Sequence, residues 1–375
     1  MHVTEAQVHC FRARRGHLSG PGAASPVEVA RAVVGIQAQV QTSALWSIAM
    51  RTQRGPVGRP TAAALAAEIL ESRNLVRTWA QRDTLHIYAP EDWPLTAAAD
   101  PLWPTSSRPG SIPPEHALVA TRERMRGRVI TRADLFDLVT EEMVAEMAKR
   151  VPPEQAPRYA AGRLVWTLSH RGEVCLGPTV GAEQGYVLRE DWLAGRPFPV
   201  VDPQVAAAEL TRRYLAVNGP ASAHDVAHFF GSTVTHARTW LAALRPELID
   251  VTCPGHPGLV ALAVDAEALR DDTPPPPRLV AAYDTRLMAH ADKTWMVPQV
   301  AENKAIWRAS AVVAAVVLAG GVAVATWTQK KVKKAVQIEV APLSGWRPEM
   351  LAGLEADAQD LAAHLGLAAA ELRVA

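Results

Sequence analysis

The chain has 375 residues, 49% of them hydrophobic and 21% charged, the balance of an ordinary globular protein with room for two to four domains of roughly 100–150 residues. Lys and Arg number 39 against 38 Asp and Glu, a net charge of +1, so any nucleic-acid face has to be local rather than global. Three widely spaced cysteines (Cys10, Cys175, Cys253) without a CxxC pair argue against a disulfide framework and a structural zinc site, and Met1–Arg15 lacks the apolar core of a signal peptide. In chain order the first elements are helices at about Thr4–Arg12, Ser25–Val34, Ser43–Gln53 and Thr61–Ser72, followed by strands Leu75–Ala80 and Thr84–Tyr88 around Gln81-Arg82-Asp83 and a helix opened by Pro90-Glu91-Asp92.

The same helix, helix, helix, hairpin pattern recurs twice. In the middle copy Glu115–Gly127 is helical, Thr131 caps a helix running into Val139, and Gln155–Arg171 is a third helix carrying Arg158, Arg163, Trp166 and Arg171. Gly172–Leu176 and Tyr186–Arg189 then form the hairpin around a Gly-rich turn. The third copy is the clearest. A helix over Pro203–Val217 stops at Asn218-Gly219, Ser222 caps a helix that Gly231 ends, and Thr233 or Thr235 starts a helix with Ala237, Trp240, Leu241 and Leu244 on one face. Strands Leu248–Cys253 and Leu259–Val264 close the copy. Three helices with a β-wing is the winged-helix arrangement, which serves nucleic-acid contact or protein interaction.

After the tetraproline Pro274–Pro277 the pattern changes to strand-like segments at Leu279–Ala282, Thr294–Pro298, Val312–Leu318, Val322–Trp327 and Val336–Val340, with a last helix from Pro348. The stretch between Arg308 and Lys330 carries no charge and has the length of a membrane span. Its Val-rich arms around Gly320-Gly321 instead indicate a buried β-hairpin. The expected fold is therefore α+β, mainly α: winged-helix units over residues 1–110, 111–200 and 201–273, and a β-meander with terminal helix over 278–375.

Chemistry is sparse. In Gly35-Ile36-Gln37-Ala38-Gln39-Val40-Gln41 an extended backbone puts Gln37 and Gln39 on one side, with Ile36, Ala38 and Val40 packed behind. Two parallel carboxamides make a fork of donors and acceptors, although amides beside helix ends also serve as caps or face water. Arginines gather in the N-terminal half (Arg12, Arg14, Arg15, Arg51, Arg54, Arg73, Arg77, Arg82), whereas Glu349, Glu355, Asp357 and Asp360 make the last helix acidic. Arg77 and Arg82 on a wing, and Lys330, Lys331, Lys333 and Lys334, suit either phosphate contact or solvated surface. His224-Asp225-Val226-Ala227-His228 has the histidine spacing of a zinc-protease helix but Asp where Glu is required, and no metal is expected there.

Three blocks carry a resemblance: Gly35-Ile36-Gln37-Ala38-Gln39; Leu75-Val76-Arg77-Thr78-Trp79 with Arg82, Thr84, Leu85 and His86; and Tyr214-Leu215 with Asn218-Gly219-Pro220-Ala221. Together they resemble the helix-turn-helix (winged-helix) DNA glycosylases of the AlkZ and YcaQ type, over about Val27 to Pro342. The resemblance places the family's catalytic pair on Gln37 and Gln39, and Gln39, where YcaQ-type members have an acidic residue, marks the AlkZ branch. It departs at Asp83, where glycine is expected in the wing turn, and at Tyr283-Asp284-Thr285-Arg286-Leu287, which matches the family loosely. What it implies is a monofunctional DNA glycosylase, without metal or nucleotide cofactor, that removes N7-alkylated purines and unhooks azinomycin-B-type interstrand crosslinks from duplex DNA, in repair and self-resistance. Arg12, Arg15, Arg77, Arg82, Lys330, Lys331 and Lys333 are the expected DNA contacts, a monomer the expected state and the cytoplasm, with the nucleoid, the expected location. A shallow, open, basic cleft between winged-helix units would suit a crosslinked base, which cannot swing far without its partner. A non-catalytic winged-helix regulator of transcription, and a protein-interaction scaffold, are the alternative readings.

Overall fold

A computed structural model describes residues 1–103 and 113–375; the expected boundary between the first two winged-helix units, at residues 110 and 111, lies outside them. By contact density the chain falls into two compact units, Met1–Ala66 with Ala208–Ala375, and Ala67–Ala207. The fold is α+β with helix predominating, and among the described residues no helix is long and apolar enough to cross a membrane.

In the discontinuous unit, local chemistry sets the helix ends. Thr4 and Gln7 form a reciprocal capping box at the start of Glu5–Arg15, and Ser222 with Asp225 does the same for Ala223–Phe230. Gly231, at φ 68°, turns the chain out of that second helix, and the Thr233 side chain caps Val234–Ala243. The hairpin Leu248–Cys253 with His256–Leu262 follows in antiparallel register, Leu248 opposite Leu262. Its apolar face, Val251, Leu259 and Ala261, packs on Val8 and Phe11 of the first helix and on Trp295. Asp225, the acidic residue of the zinc-like pentapeptide, is committed to this cap and to the Ala291 N–H at 2.9 Å.

The C-terminal sheet has five strands in the order Ala369–Val374, Ala335–Pro342, Val322–Val332, Val316–Ala319 and Arg278–Val280. Gly320 and Gly321, at φ 58° and 87°, make the turn of the uncharged hairpin, whose first arm is buried throughout. A Cβ on Gly321 would stand 2.4 Å from the Cβ of His9, so that turn also docks on the first helix. Two expectations are corrected. The strand expected at Thr294–Pro298 is a helical turn, Lys293–Trp295, because Asp292 takes the N–H and hydroxyl of Thr294 at 2.9 and 2.6 Å and holds the backbone in a turn. The meander also gains a parallel edge strand, Ala369–Val374, paired with Ala335–Pro342. A parallel pair needs a crossover, and the helices Met350–Gly353 and Glu355–His364 supply it.

The continuous unit builds one core from Leu118 and Met125 of Glu115–Met125, Met143 and Met147 of Glu141–Ala148, and Leu164 and Leu168 of Ala156–His170. The helix Glu141–Ala148, capped by Thr140, is additional to those expected. Where Thr131 was expected to cap an α-helix, Asp134 accepts both its N–H and hydroxyl at the head of a 3-10 segment, Ala133–Leu138. Two hairpins, Val76–Trp79 with Leu85–Tyr88 and Val174–Leu176 with Tyr186–Leu188, complete it.

Buried imidazoles make the fold acid-sensitive. Burial and neighbouring arginines lower His9 to about 2 and His290 well below its usual range, and burial with Arg82 lowers His86 to about 3. The folded chain keeps these rings neutral while the unfolded chain protonates them. Their stabilisation is full above about pH 6.5 and declines as pH falls, by up to about 1.4 kcal/mol per pH unit for each ring. Urea midpoints should drop steadily from pH 7 to pH 5; a flat profile would contradict the burial of all three.

Candidate active site

The Gln-Ala-Gln segment is made by a forced reversal. Ser25 caps the helix Pro26–Ala32, and Val34 and Gly35, at φ 58° and 86°, turn the chain back out of it. Glycine adopts this geometry freely, whereas a β-branched valine is strained in it. The strand that follows is short, Ile36–Gln37, and the chain bends at Gln39 and Val40 into the helix Gln41–Ala49. Gln37 is 6% exposed on a floor of fully buried Ile36 and Ala38, while Gln39 stands in solvent. Val40, expected to pack behind the pair, is instead 40% exposed.

The helix Gln41–Ala49 is braced from below by a buried ion pair. Asp284 accepts from Arg51 Nη1 and Nη2 at 2.8 and 2.7 Å and from Ser47 Oγ at 2.6 Å, with both charged side chains at most 1% exposed. Arg51 Nε also donates to Gly16 O at 2.9 Å. The second Asp284 oxygen caps the turn Thr285–Met288 through the Arg286 N–H at 2.9 Å. Next to Asp284, Tyr283 sits at φ 58°, a strained position for a bulky residue. The loosely matching segment 283–287 is thus the structural counterpart of the Gln-Ala-Gln helix. Nothing local in the sequence signals this, since Arg51 and Asp284 are 233 residues apart.

Between that helix and the C-terminal sheet lies a cavity of about 320 Å³. Val40 opens onto it directly after Gln39, and its walls come from the start of the helix, Ala281–Tyr283, Val312–Ala315, Trp327–Gln329 and the end of the last long helix. Trp46 donates its indole N–H to Leu279 O at 2.8 Å, and Trp327 donates to Val280 O and Val316 O at 2.9 and 3.1 Å. Both polar tips are thereby satisfied. His364 is held against Pro60 O by Nδ1 at 2.9 Å, and burial lowers its pKa.

The expected DNA contacts separate into three groups. Arg12 is a correction: it is 1% exposed, donates to Asn218 O, Gly219 O and Pro220 O at 3.0, 3.3 and 2.6 Å, and lies 4.1 Å from the Trp295 ring centre. A helix that looked basic in sequence turns this arginine into the core because the backbone carbonyls at 218–220 need its donors. Arg77 and Arg82 are half-buried on their hairpin. Arg82 stands 3.3 Å from His86 Nε2, and burial lowers its pKa to about 10. Arg15 is exposed beside its ion-pair partner Asp265, and Lys330, Lys331 and Lys333 are exposed around the far turn of the strand Val322–Val332. Two of the four acidic residues toward the C-terminus are likewise not free surface: Asp357 pairs with Arg278 at 2.9 Å, and Asp360 with both Arg54 and Arg59 at 2.7 Å, whereas Glu349 and Glu355 are exposed.

The sequence signature of the family described as DNA glycosylase AlkZ-like matches residues 30–364, which includes the Gln-Ala-Gln segment, the cavity and the Asp284 brace. The chain belongs to the AlkZ-like DNA glycosylases. It is 26% identical over 340 residues to an interstrand DNA cross-link repair glycosylase of Streptomyces sahachiroi, covering 87% of this chain and 88% of that one. The structure of the Streptomyces sahachiroi DNA glycosylase AlkZ shares its fold with a TM-score of 0.83 at 22% identity, over the whole of both chains. This AlkZ-like protein is a DNA-binding α+β enzyme, a hydrolase of N-glycosyl bonds in DNA.

Proposed function

We propose that this glycosylase removes N7-alkylated purines by simple hydrolysis, unhooks interstrand crosslinks of the azinomycin B type, and uses Gln37 and Gln39 jointly at the reacting sugar. What supports the site is that Gln37 and Gln39 lie two residues apart after a strained reversal, within the stretch matched by the family, Gln37 at 6% exposure and Gln39 exposed. The crosslink reading rests on the activity named for the Streptomyces sahachiroi relative.

Alkylation at N7 leaves the purine positively charged, so the base departs without being protonated. The remaining task is to place water at C1′ and stabilise a cationic sugar. A carboxamide is no general base near neutral pH, but its carbonyl oxygen orients water and faces developing positive charge. Arg15, Arg77, Arg82, Lys330, Lys331 and Lys333 are assigned to the DNA backbone, without metal or nucleotide, in a monomer acting at the nucleoid. The same reading groups residues 1–110, 111–200 and 201–273 as winged-helix units, with residues 278–375 as the β-rich element.

Gln37→Ala and Gln39→Ala should each bind duplex DNA like the parent and release N7-methylguanine about 100-fold more slowly, the scale set by loss of one preorganised polar group. Base release is scored by alkali-labile strand breaks. Undiminished release by both variants would remove the assignment, and absence of release by the parent would favour a non-catalytic DNA-binding regulator.

A further inference from the structure

We propose that the cavity beside Val40 receives an uncharged, planar aromatic substituent carried on N7 of the damaged guanine, so that the enzyme grips the lesion by its adduct as well as by its base. The inference rests on the proposed function for its substrate and adds to it a specificity site.

Four observations carry it. The first is position. Val40, the residue after Gln39, lines the cavity, so the cavity adjoins the Gln37–Gln39 segment in the chain. The second is surface. Trp46 and Trp327 line the cavity at 3% and 6% exposure, and because their N–H groups are spent on backbone carbonyls, the little surface they present is ring carbon. Val313, 4% exposed, adds aliphatic wall. Flat apolar surface of this kind stabilises a ring by burial and stacking.

The third is charge. Among the described residues the lining includes no carboxylate, and its one cationic side chain, Arg308, is exposed at the rim. Such a site does not select a cation, so it suits the neutral adduct rather than the positively charged purine. The fourth is size and rigidity. About 320 Å³ lies at the lower end of the range for small-ligand pockets. The strained Tyr283 in its wall is fixed by the buried Asp284–Arg51 pair, so the shape exists before the lesion arrives, and preformed sites lose less freedom on binding.

The test separates this inference from the reading beneath it. Calorimetric titration of the wild-type protein with the free bases N7-benzylguanine and N7-methylguanine measures the site independently of catalysis. The benzyl base should bind at least about tenfold more tightly, the scale of burying a ring. Ala315→Phe, which fills the cavity, and Thr328→Trp, which covers its mouth from an exposed strand position, should abolish that preference. Equal affinity of the two bases for the wild type overturns the inference, as does a preference that survives in whichever of the two variants folds by circular dichroism. Base release from N7-methylguanine DNA is scored in parallel: its absence sinks the glycosidic chemistry, while the benzyl preference still reports on the cavity.

Discussion

Replacing Asp284 with alanine is expected to destabilise the discontinuous unit by about 3–5 kcal/mol, the loss found when one partner of a buried ion pair is removed. The effect is large because the remaining partners of Arg51, Gly16 O, Ser47 O and Ser47 Oγ, are neutral and do not balance its charge. Arg51 would keep its charge at 1% exposure with two of its donors facing the space left by the carboxylate, Ser47 would lose its acceptor, and the turn that presents Tyr283 would lose its cap. Replacing both partners together, as in Arg51→Met with Asp284→Leu, should cost less than the sum of the single changes, because no orphaned charge remains. Urea unfolding of the four proteins checks this; additive losses would mean that the pair is not a coupled unit. Asp284→Asn gives a gentler version: it retains the shape and removes the charge, and it should slow base release if the brace positions the Gln-Ala-Gln helix.

Arg12→Met is expected to remove about 2–4 kcal/mol while leaving the salt dependence of DNA binding unchanged. The carbonyls of Gly219 and Pro220 lose the Arg12 donor, while Asn218 O keeps its contact with His290 Nε2 at 3.0 Å, and buried acceptors that lose a partner are costly. Part of that loss is returned because a fully buried guanidinium, whose pKa burial lowers to about 10, no longer has to be desolvated. The methionine retains contact with the Trp295 ring. A phosphate-binding arginine would behave in the opposite way: its loss would leave stability nearly intact and reduce the steepness of the dependence of binding on salt by about one ion. Thermal unfolding and binding isotherms at several salt concentrations distinguish the two roles.

Much of the fold was legible because helix caps and turns are local. Ser25, Ser222, Thr233, Gly231 and the Gly320-Gly321 turn all act where their residue types indicate, and the uncharged Val-rich run forms the expected hairpin. Some misses were local, as where Asp292 and Asp134 hold Thr294 and Thr131 in turns; the others depend on distance in sequence. Arg12 looked like surface because its three acceptors lie more than 200 residues away. Asp357 and Asp360 looked like an acidic face because Arg278 lies 79 residues from Asp357, and Arg54 and Arg59 lie 306 and 301 residues from Asp360. The strand Ala369–Val374 has no buried residue, and its only polar/apolar alternation, Glu371 to Val374, is four residues long; its neighbour Ala335–Pro342 defines it. At the site, the two glutamines were conspicuous as a pair, whereas the cavity beside them is assembled from five separate stretches of chain.

The division of the chain also orders its folding. Ala67–Ala207 is a continuous insert within a unit whose two parts, Met1–Ala66 and Ala208–Ala375, must find each other. During synthesis the insert can complete its core as soon as it leaves the ribosome, whereas the first 66 residues wait for the segment that buries them. Until Asp284 is made, Arg51 has no counter-ion, so the helix that follows the two glutamines reaches its final setting late, after the insert has already formed.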